Sequence, residues 1–159
     1  MQKQTKQGYR LSPQQEHLWL LEGRSPGAQY HALCAVAIRG KLHKETLKCA
    51  LATVVRRHEI LRTSFRVLHG MMIPLQVISG DAPVDLREVD LSRLNAQTQE
   101  ARIDALCEEI GNEYFDPKQE TPLRACLAAK SNREHTLILG LPALCADRAT
   151  LRNVARELA

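Results

Sequence analysis

Residues 140–151 read GLPALCADRATL. An apolar run gives way here to a short turn and then to a helical pattern. Two side chains on the turn carry chemistry, Cys145 and Asp147. A cysteine attacks only as a thiolate, which needs a base, a cation or a helix N-terminus to lower its pKa. No histidine stands beside Cys145, so it is expected as a buried small hydrophobe. Asp147 directly precedes the helical pattern, where a carboxylate caps free amides and suits the helix dipole. His31, His58 and His135 are the other candidate bases.

These residues must be positioned by the elements around them. LSPQQEHLWLL (11–21) opens with Ser12 and Pro13, an N-cap and a first-turn proline, and the helix stops near Gly23. RSPGAQ reads as a loop and HALCAVAIR (31–39) as a strand ended by Gly40. Over 43–61, Leu47, Ala50, Leu51, Val54 and Val55 recur at helical spacing, with Lys44, Lys48 and Arg56 largely opposite. TSFRVLH and MMIPLQVI predict two strands around a His69-Gly70 turn, with Pro74 at an edge or bulge. Residues 80–95 read as an irregular connection, and 96–114 as a second amphipathic helix through Ile103, Leu106, Cys107, Ile110 and Tyr114. After the loop FDPKQETP, LRACLAAK and HTLILGL form a hairpin-like pair across SNRE, and 149–158 form a last helix. The order predicts one α/β domain with a mixed sheet packed by helices.

A chain of 159 residues, 44% hydrophobic and 25% charged, suits a single globular domain. The net charge of +4 is mild and aromatics make up 4% without interleaved basic runs, which argues against nucleic-acid binding. No apolar run is long enough to span a bilayer, and MQKQTKQGYR has no signal-peptide core. A cytoplasmic protein without a membrane partner is expected. Cys34, Cys49, Cys107, Cys126 and Cys145 are odd in number and contain no C-x-x-C pair. Neither a disulfide framework nor a metal site is expected, and the thiols read as buried small side chains.

Residues 57–65, RHEILRTSF, carry a resemblance. They match the R-H-E-x-L-R-T-x-F signature of condensation domains in nonribosomal peptide synthetases, through Arg57, His58, Glu59, Arg62, Thr63 and Phe65. Ser12, Gln15, Leu18, Trp19 and Leu21 fit that family's first motif, S-x-A-Q-x-R-L-W-x-L, with Gln14 in place of the alanine and His17 in place of the arginine. SPGAQYHALCAVAIRGKLHKETLKCAL resembles the family's first strand and second helix, and FDPKQETPLRACL its approach to the hairpin. The likeness runs from about Tyr9 to the last residue. It implies a chloramphenicol-acetyltransferase-like lobe. Because the chain ends just past the third motif, residues 1–159 look like the N-terminal lobe of a two-lobed domain.

The family's third motif is H-H-x-x-x-D-G. Aligned to it, Pro142 stands for the first histidine and Ala143 for the second, Asp147 for the aspartate and Arg148 for the glycine. The second histidine of the family either acts as a general base or positions the attacking amine and stabilises charge. Both roles need a ring nitrogen, and Ala143 has none; such help contributes typically ~10²–10⁴-fold. No catalytic residue is therefore assigned. Cys145, His31, His58 and His135 are the conceivable substitutes. The resemblance implies that Asp147 instead forms a structural ion pair with Arg62, tying the second motif to the turn.

The expected function is thus a non-catalytic condensation lobe with a structural or docking role. The alternative is the N-terminal lobe of an active condensation domain, joining acyl and aminoacyl groups carried as thioesters. A third is a stand-alone binding domain that borrows the fold, with self-association as its sign. The implied partners are peptidyl or aminoacyl carrier proteins, a C-terminal condensation lobe, an adenylation domain and, as in some family relatives, a recruited tailoring enzyme. The implied cofactor is the phosphopantetheine of those carriers, with none bound directly.

Overall fold

A computed structural model describes residues 8–24, 29–80, 82–118 and 121–158. The elements run β1 (Gly8–Arg10), α1 (Pro13–Arg24), β2 (His31–Arg39), α2 (Lys44–Arg57), a 3₁₀ turn (Glu59–Arg62), β3 (Thr63–Arg66), β4 (Leu75–Ile78), β5 (Leu86–Asp90), α3 (Ala96–Asn112), β6 (Arg124–Ser131), β7 (Glu134–Pro142) and α4 (Arg148–Glu157). The loops expected at RSPGAQ and FDPKQETP fall partly outside the described residues, as does most of the polar N-terminus.

The larger sheet has the order β2-β7-β6-β5. It is mixed as expected: β5 runs parallel to β6 while the other pairs are antiparallel. Strand alternation sorts its side chains onto two faces. Leu137, Leu139 and Leu141 of β7 pack with Leu47, Leu51, Val54 and Val55 of α2 and Leu151 and Val154 of α4. Ile138, Cys126 and Ala128 meet Ile103, Leu106 and Ile110 of α3 on the opposite face. The apolar period of each helix therefore finds its own side of one sheet. Gly140 permits the close approach of α3, since a Cβ there would run into the Ile110 side chain. Gly40 ends β2 at φ 111°, a left-handed conformation that favours glycine.

Beside this sheet lies a second, antiparallel one of order β1-β4-β3. Leu11, Phe65, Phe115, Leu144 and Cys145 form a third apolar cluster, with Leu18 and Trp19 of α1 packed against it. This cluster supports the turn at 142–147 from beneath.

Several expected boundaries move. The helix expected over 43–61 stops at Arg57, because His58 is extended (φ −104°, ψ 106°) and the chain resumes as the 3₁₀ turn. The Thr63 hydroxyl closes that turn by donating to the Glu59 carbonyl at 2.7 Å. The strand expected over 71–78 covers only Leu75–Ile78, since Pro74, buried just before it, has no N–H for a ladder. TSFRVLH likewise pairs only through Arg66. The connection expected to be irregular at 80–95 contains β5, LREVD. As an edge strand with three charged residues, it lacks the apolar alternation by which strands are read. β1 is three residues long and gave no such signal. Cys49 also departs from expectation: it is exposed, whereas Cys126 and Cys145 are buried. No helix among the described residues is long and apolar enough to cross a membrane.

Candidate functional site: the turn after β7

β7 delivers Pro142 opposite His31, the first residue of β2. The chain then turns tightly. Ala143 donates its amide to the Tyr30 carbonyl at 2.7 Å, and the amides of Cys145 and Ala146 both reach the Pro142 carbonyl, at 2.8 and 3.2 Å. Asp147 starts α4 with its carboxylate accepting from the Thr150 amide and hydroxyl, both at 2.8 Å. Those bonds hold its carboxyl below the usual aspartate range.

The side chains of the turn point to scaffold rather than chemistry. Leu144 and Cys145 are buried in the cluster with Phe65 and Phe115. Burial, and secondarily the negative charge of Glu22, push the Cys145 thiol far above its ordinary value. It stays a neutral thiol near pH 7, without nucleophilic character. Ala143 offers only a methyl group to the turn.

None of the candidate histidines stands in its place. His58 bonds Glu157 at 2.8 Å, beside an Arg57–Glu157 bridge of 2.8 Å, so both clamp the C-terminal end of α4. His135 is buried at the opposite end of β7. His31 is the one of the three that adjoins the turn. Its ring is half-buried, burial lowers its pKa, and its Nδ1 is shut away without a partner. Among the described residues, no group of three His, Cys, Asp or Glu side chains is arranged to hold a metal ion.

The expected Arg62–Asp147 ion pair is not formed. Arg62 is only 16% exposed and donates through Nη1 to the Ser79 carbonyl, with Glu59 3.6 Å away. The Ser79 amide returns a bond of 3.0 Å to the Arg62 carbonyl. Arg62 thereby locks the 3₁₀ turn to the end of β4. Asp147, exposed and engaged as the cap of α4, has its bonding directed along its own helix. Arg62 thus bonds Ser79 with its Nη1 while its buried Nε has no partner, and Asp147 bonds Thr150; the two charges are directed to different neighbours.

A different residue ties the first motif to the turn. Ser12 and Gln15 form a reciprocal capping box: the Ser12 amide donates to Gln15 Oε1 at 2.9 Å and the Gln15 amide to Ser12 Oγ at 3.3 Å. The free Nε2 of Gln15 then donates to the Leu144 carbonyl at 3.0 Å and to Gln76 Oε1 at 3.3 Å. One amide group thus joins α1, β4 and the turn. Trp19 and Phe65 pack under the same turn, and the Phe65 amide bonds the Pro117 carbonyl at 2.7 Å. Gln15, Trp19 and Phe65 are brought together at the turn; Arg57 and His58 are not.

Two contributors at the turn lay outside the sequence reading. Gln29 grips Phe115 with both ends of its amide, accepting from the backbone N–H at 2.7 Å and donating to the carbonyl at 2.9 Å. Glu22 accepts from the Tyr30 amide at 3.2 Å, and burial raises its pKa. Glu22 sits one turn after Leu18 on the packed face of α1, a periodic signal that was available. Gln29 offers none, because a neutral amide in a loop looks like any other polar residue.

Comparison with known proteins fits this geometry. The condensation domain family model matches residues 5–159. The chain is 35% identical over 150 residues to a probable non-canonical nonribosomal peptide synthetase, CymA, of Salinispora arenicola, covering 94% of this chain and 2% of that protein. It is 34% identical over 151 residues to chondramide synthase cmdD of Chondromyces crocatus, covering 92% and 4%. Among solved structures, the X-domain in its complex with OxyB from teicoplanin biosynthesis superposes with a TM-score of 0.79 at 32% identity, covering 96% of this chain and 32% of that one. The first condensation domain of the calcium-dependent antibiotic synthetase shares the fold with a TM-score of 0.86 at 21% identity, covering 96% and 36%. The chain therefore spans about a third of those solved chains and a small fraction of the synthetases. With its motifs in order around a mixed α/β sheet, the chain belongs to the condensation domain family.

Proposed function

We propose that this chain is the N-terminal lobe of a condensation domain in a nonribosomal peptide synthetase, and that it serves as a scaffold or docking lobe without forming amide bonds. One observation carries the reading: the turn where the family places its second histidine presents Ala143, and its one potential nucleophile, Cys145, is buried and neutral. General acid–base help is absent there. The turn is nevertheless held in shape by Gln15, Tyr30 and the Asp147 cap. A surface kept without its reactive group suits recognition of a partner. The likeness to an X-domain solved in complex with OxyB supports a recruited tailoring enzyme as one such partner. The remaining partners in this reading are a C-terminal lobe, an adenylation domain and carrier proteins, whose phosphopantetheine arms bring the acyl groups.

The test is a two-lobed protein containing this chain, assayed with loaded donor and acceptor carriers. No dipeptide above the uncatalysed level is expected, with binding of at least one carrier or tailoring enzyme retained. Dipeptide formation that depends on the protein overturns the proposal. One feature favours the alternative of an active lobe: His31 lies beside the turn with a lowered pKa and an unpartnered Nδ1. If His31→Ala abolished measured turnover, that alternative would replace the first.

A further inference from the structure

The two edges of the large sheet are finished differently. β5, at one edge, carries Arg87, Glu88 and Asp90. Arg87 reaches Glu109 of α3 at 3.0 Å and Glu88 reaches Lys48 of α2 at 3.1 Å, so its side chains are tied to helices on both faces. Charge along an edge strand discourages a further strand from pairing with it. β2, at the other edge, reads HALCAVAIR. Among the described residues it pairs with β7 alone, so its outer row of N–H and C=O groups is open. Between His31 and Arg39 it holds no charge, no proline and no glycine, and its pairing with β7 runs without a bulge.

The side chains along that edge are apolar on both faces. On the α3 side, Leu33 rests near Gly111 yet stays 36% exposed, and Ala35 and Ala37 are exposed. On the other side, Val36 and Ile38 line a groove of about 420 Å³ with Leu42, Leu47, Ala155 and Leu158. A strand added here must be apolar on both faces and small where β2 is large. β2 itself meets both conditions. Paired antiparallel about Ala35, Ile38 faces Ala32 of a second copy, Leu33 faces Ala37, Val36 faces Cys34, and Ala35 faces Ala35. Each larger side chain meets a smaller one, and cross-strand pairs of this kind are what stabilise a ladder. This is also the one antiparallel register that pairs the whole of β2 with itself. Only its ends bring polar residues together, His31 opposite Arg39.

We propose that two copies of this chain associate through β2, joining their large sheets into one antiparallel ladder across a two-fold axis. Such a contact closes on itself, so it yields a dimer and not a filament. It forms whether or not the turn after β7 is catalytic.

Sedimentation velocity over a concentration series tests it. The unaltered chain should pass from monomer to dimer in the micromolar range, as a small interface of one strand pair implies. Ala35→Lys alters an exposed side chain and sets two ammonium groups opposite each other at the axis. It should weaken association about tenfold or more, and Ala35→Glu should do the same. An equimolar mixture of the two variants should recover the dimer, because opposite charges then face each other; misfolded variants could not do this. Met72→Lys, on the exposed loop before β4, should leave association unchanged. A chain that stays monomeric at millimolar concentration overturns the proposal. So does undiminished association in Ala35→Lys, a mixture that fails to recover it, or its loss in Met72→Lys. A two-lobed protein containing this chain that stays monomeric while its β2 amides resist hydrogen exchange would give the edge to a strand of its own chain, and overturns the proposal too.

Discussion

The two ends of β7 are built on different terms. At the Pro142 end, polar groups are stitched by side-chain amides: Gln15 to Leu144, Gln29 to Phe115, and Gln76 to both Gln15 and the Arg10 carbonyl at 3.1 Å. At the Glu134 end, the backbone is secured by the Gly40–Arg133 bond of 2.8 Å, and Lys41 and Arg133 have no ionic partner among the described residues. Each end keeps one buried imidazole Nδ1 without a partner, that of His31 at the first and of His135 at the second. A neutral amide joins two backbone groups with a smaller desolvation penalty than a buried ion pair. The end with the family's motifs has been spent on rigidity. The end without them carries two exposed cations that form no ion pair among the described residues.

The largest way to break that contrast is to remove the floor of the turn. Phe65 is 1% exposed beneath Leu144 and Cys145. Phe65→Ala should cost about 3–5 kcal/mol through lost transfer energy and the cavity left behind. Urea unfolding measures it. Amide hydrogen exchange at Cys145 and Ala146 should accelerate more than at residues of the β6–β7 hairpin; uniform acceleration would mean that the turn has no separate support.

A smaller effect sharpens the role of the amide stitch. Gln15→Ala leaves the Leu144 carbonyl and the Ser12 amide without their partners. The cost should be about 1–3 kcal/mol in urea unfolding, with Gln15→Glu restoring only part of it, because a carboxylate can still accept from the Ser12 amide but cannot donate to the Leu144 carbonyl. Full stability in Gln15→Ala would show the bond to be incidental.

Much of the architecture was legible. The apolar periods of 47–55, 103–110 and 135–141 name the two faces of the large sheet, and Ser12-Pro13 marks the start of α1. β5 was not legible, since LREVD at an edge is stabilised by parallel pairing to β6 rather than by its own pattern. The site divides in the same way. The expectation that Pro142 and Ala143 stand in place of two histidines comes from the motif alignment and from no feature of the fold. The Arg62–Asp147 pairing failed because charge says nothing about which nearby backbone group will compete: Ser79 takes the guanidinium and Thr150 the carboxylate. Gln15 was picked out by motif, but its bond to residue 144 depends on the packing of α1 over the turn, which no local pattern encodes.

That competition has a direct test in coupling. If Arg62 and Asp147 act on separate structures, Arg62→Ala and Asp147→Ala should add in a double-mutant cycle, with no interaction energy beyond measurement error. A clear favourable coupling would restore the long-range clasp and remove the argument that Gln15 replaces it.

The smallest expected effect belongs to the Asp147 cap itself. Its folded carboxyl lies below the ordinary aspartate value, so folding favours the ionised form. The resulting stabilisation is present above the unfolded pKa and fades as pH falls through the folded one, where the carboxylate takes up a proton. Asp147→Asn keeps an acceptor for Thr150 but removes the charge, whereas Asp147→Ala removes both. Unfolding measured from neutral pH into acid should therefore show the gap between unaltered protein and Asp147→Asn closing as pH drops, with Asp147→Ala less stable than Asp147→Asn throughout. A gap that widened in acid would contradict the sign of the shift. A gap that vanished at neutral pH when Arg62 was also replaced would mean that the charge was serving Arg62 instead of the helix.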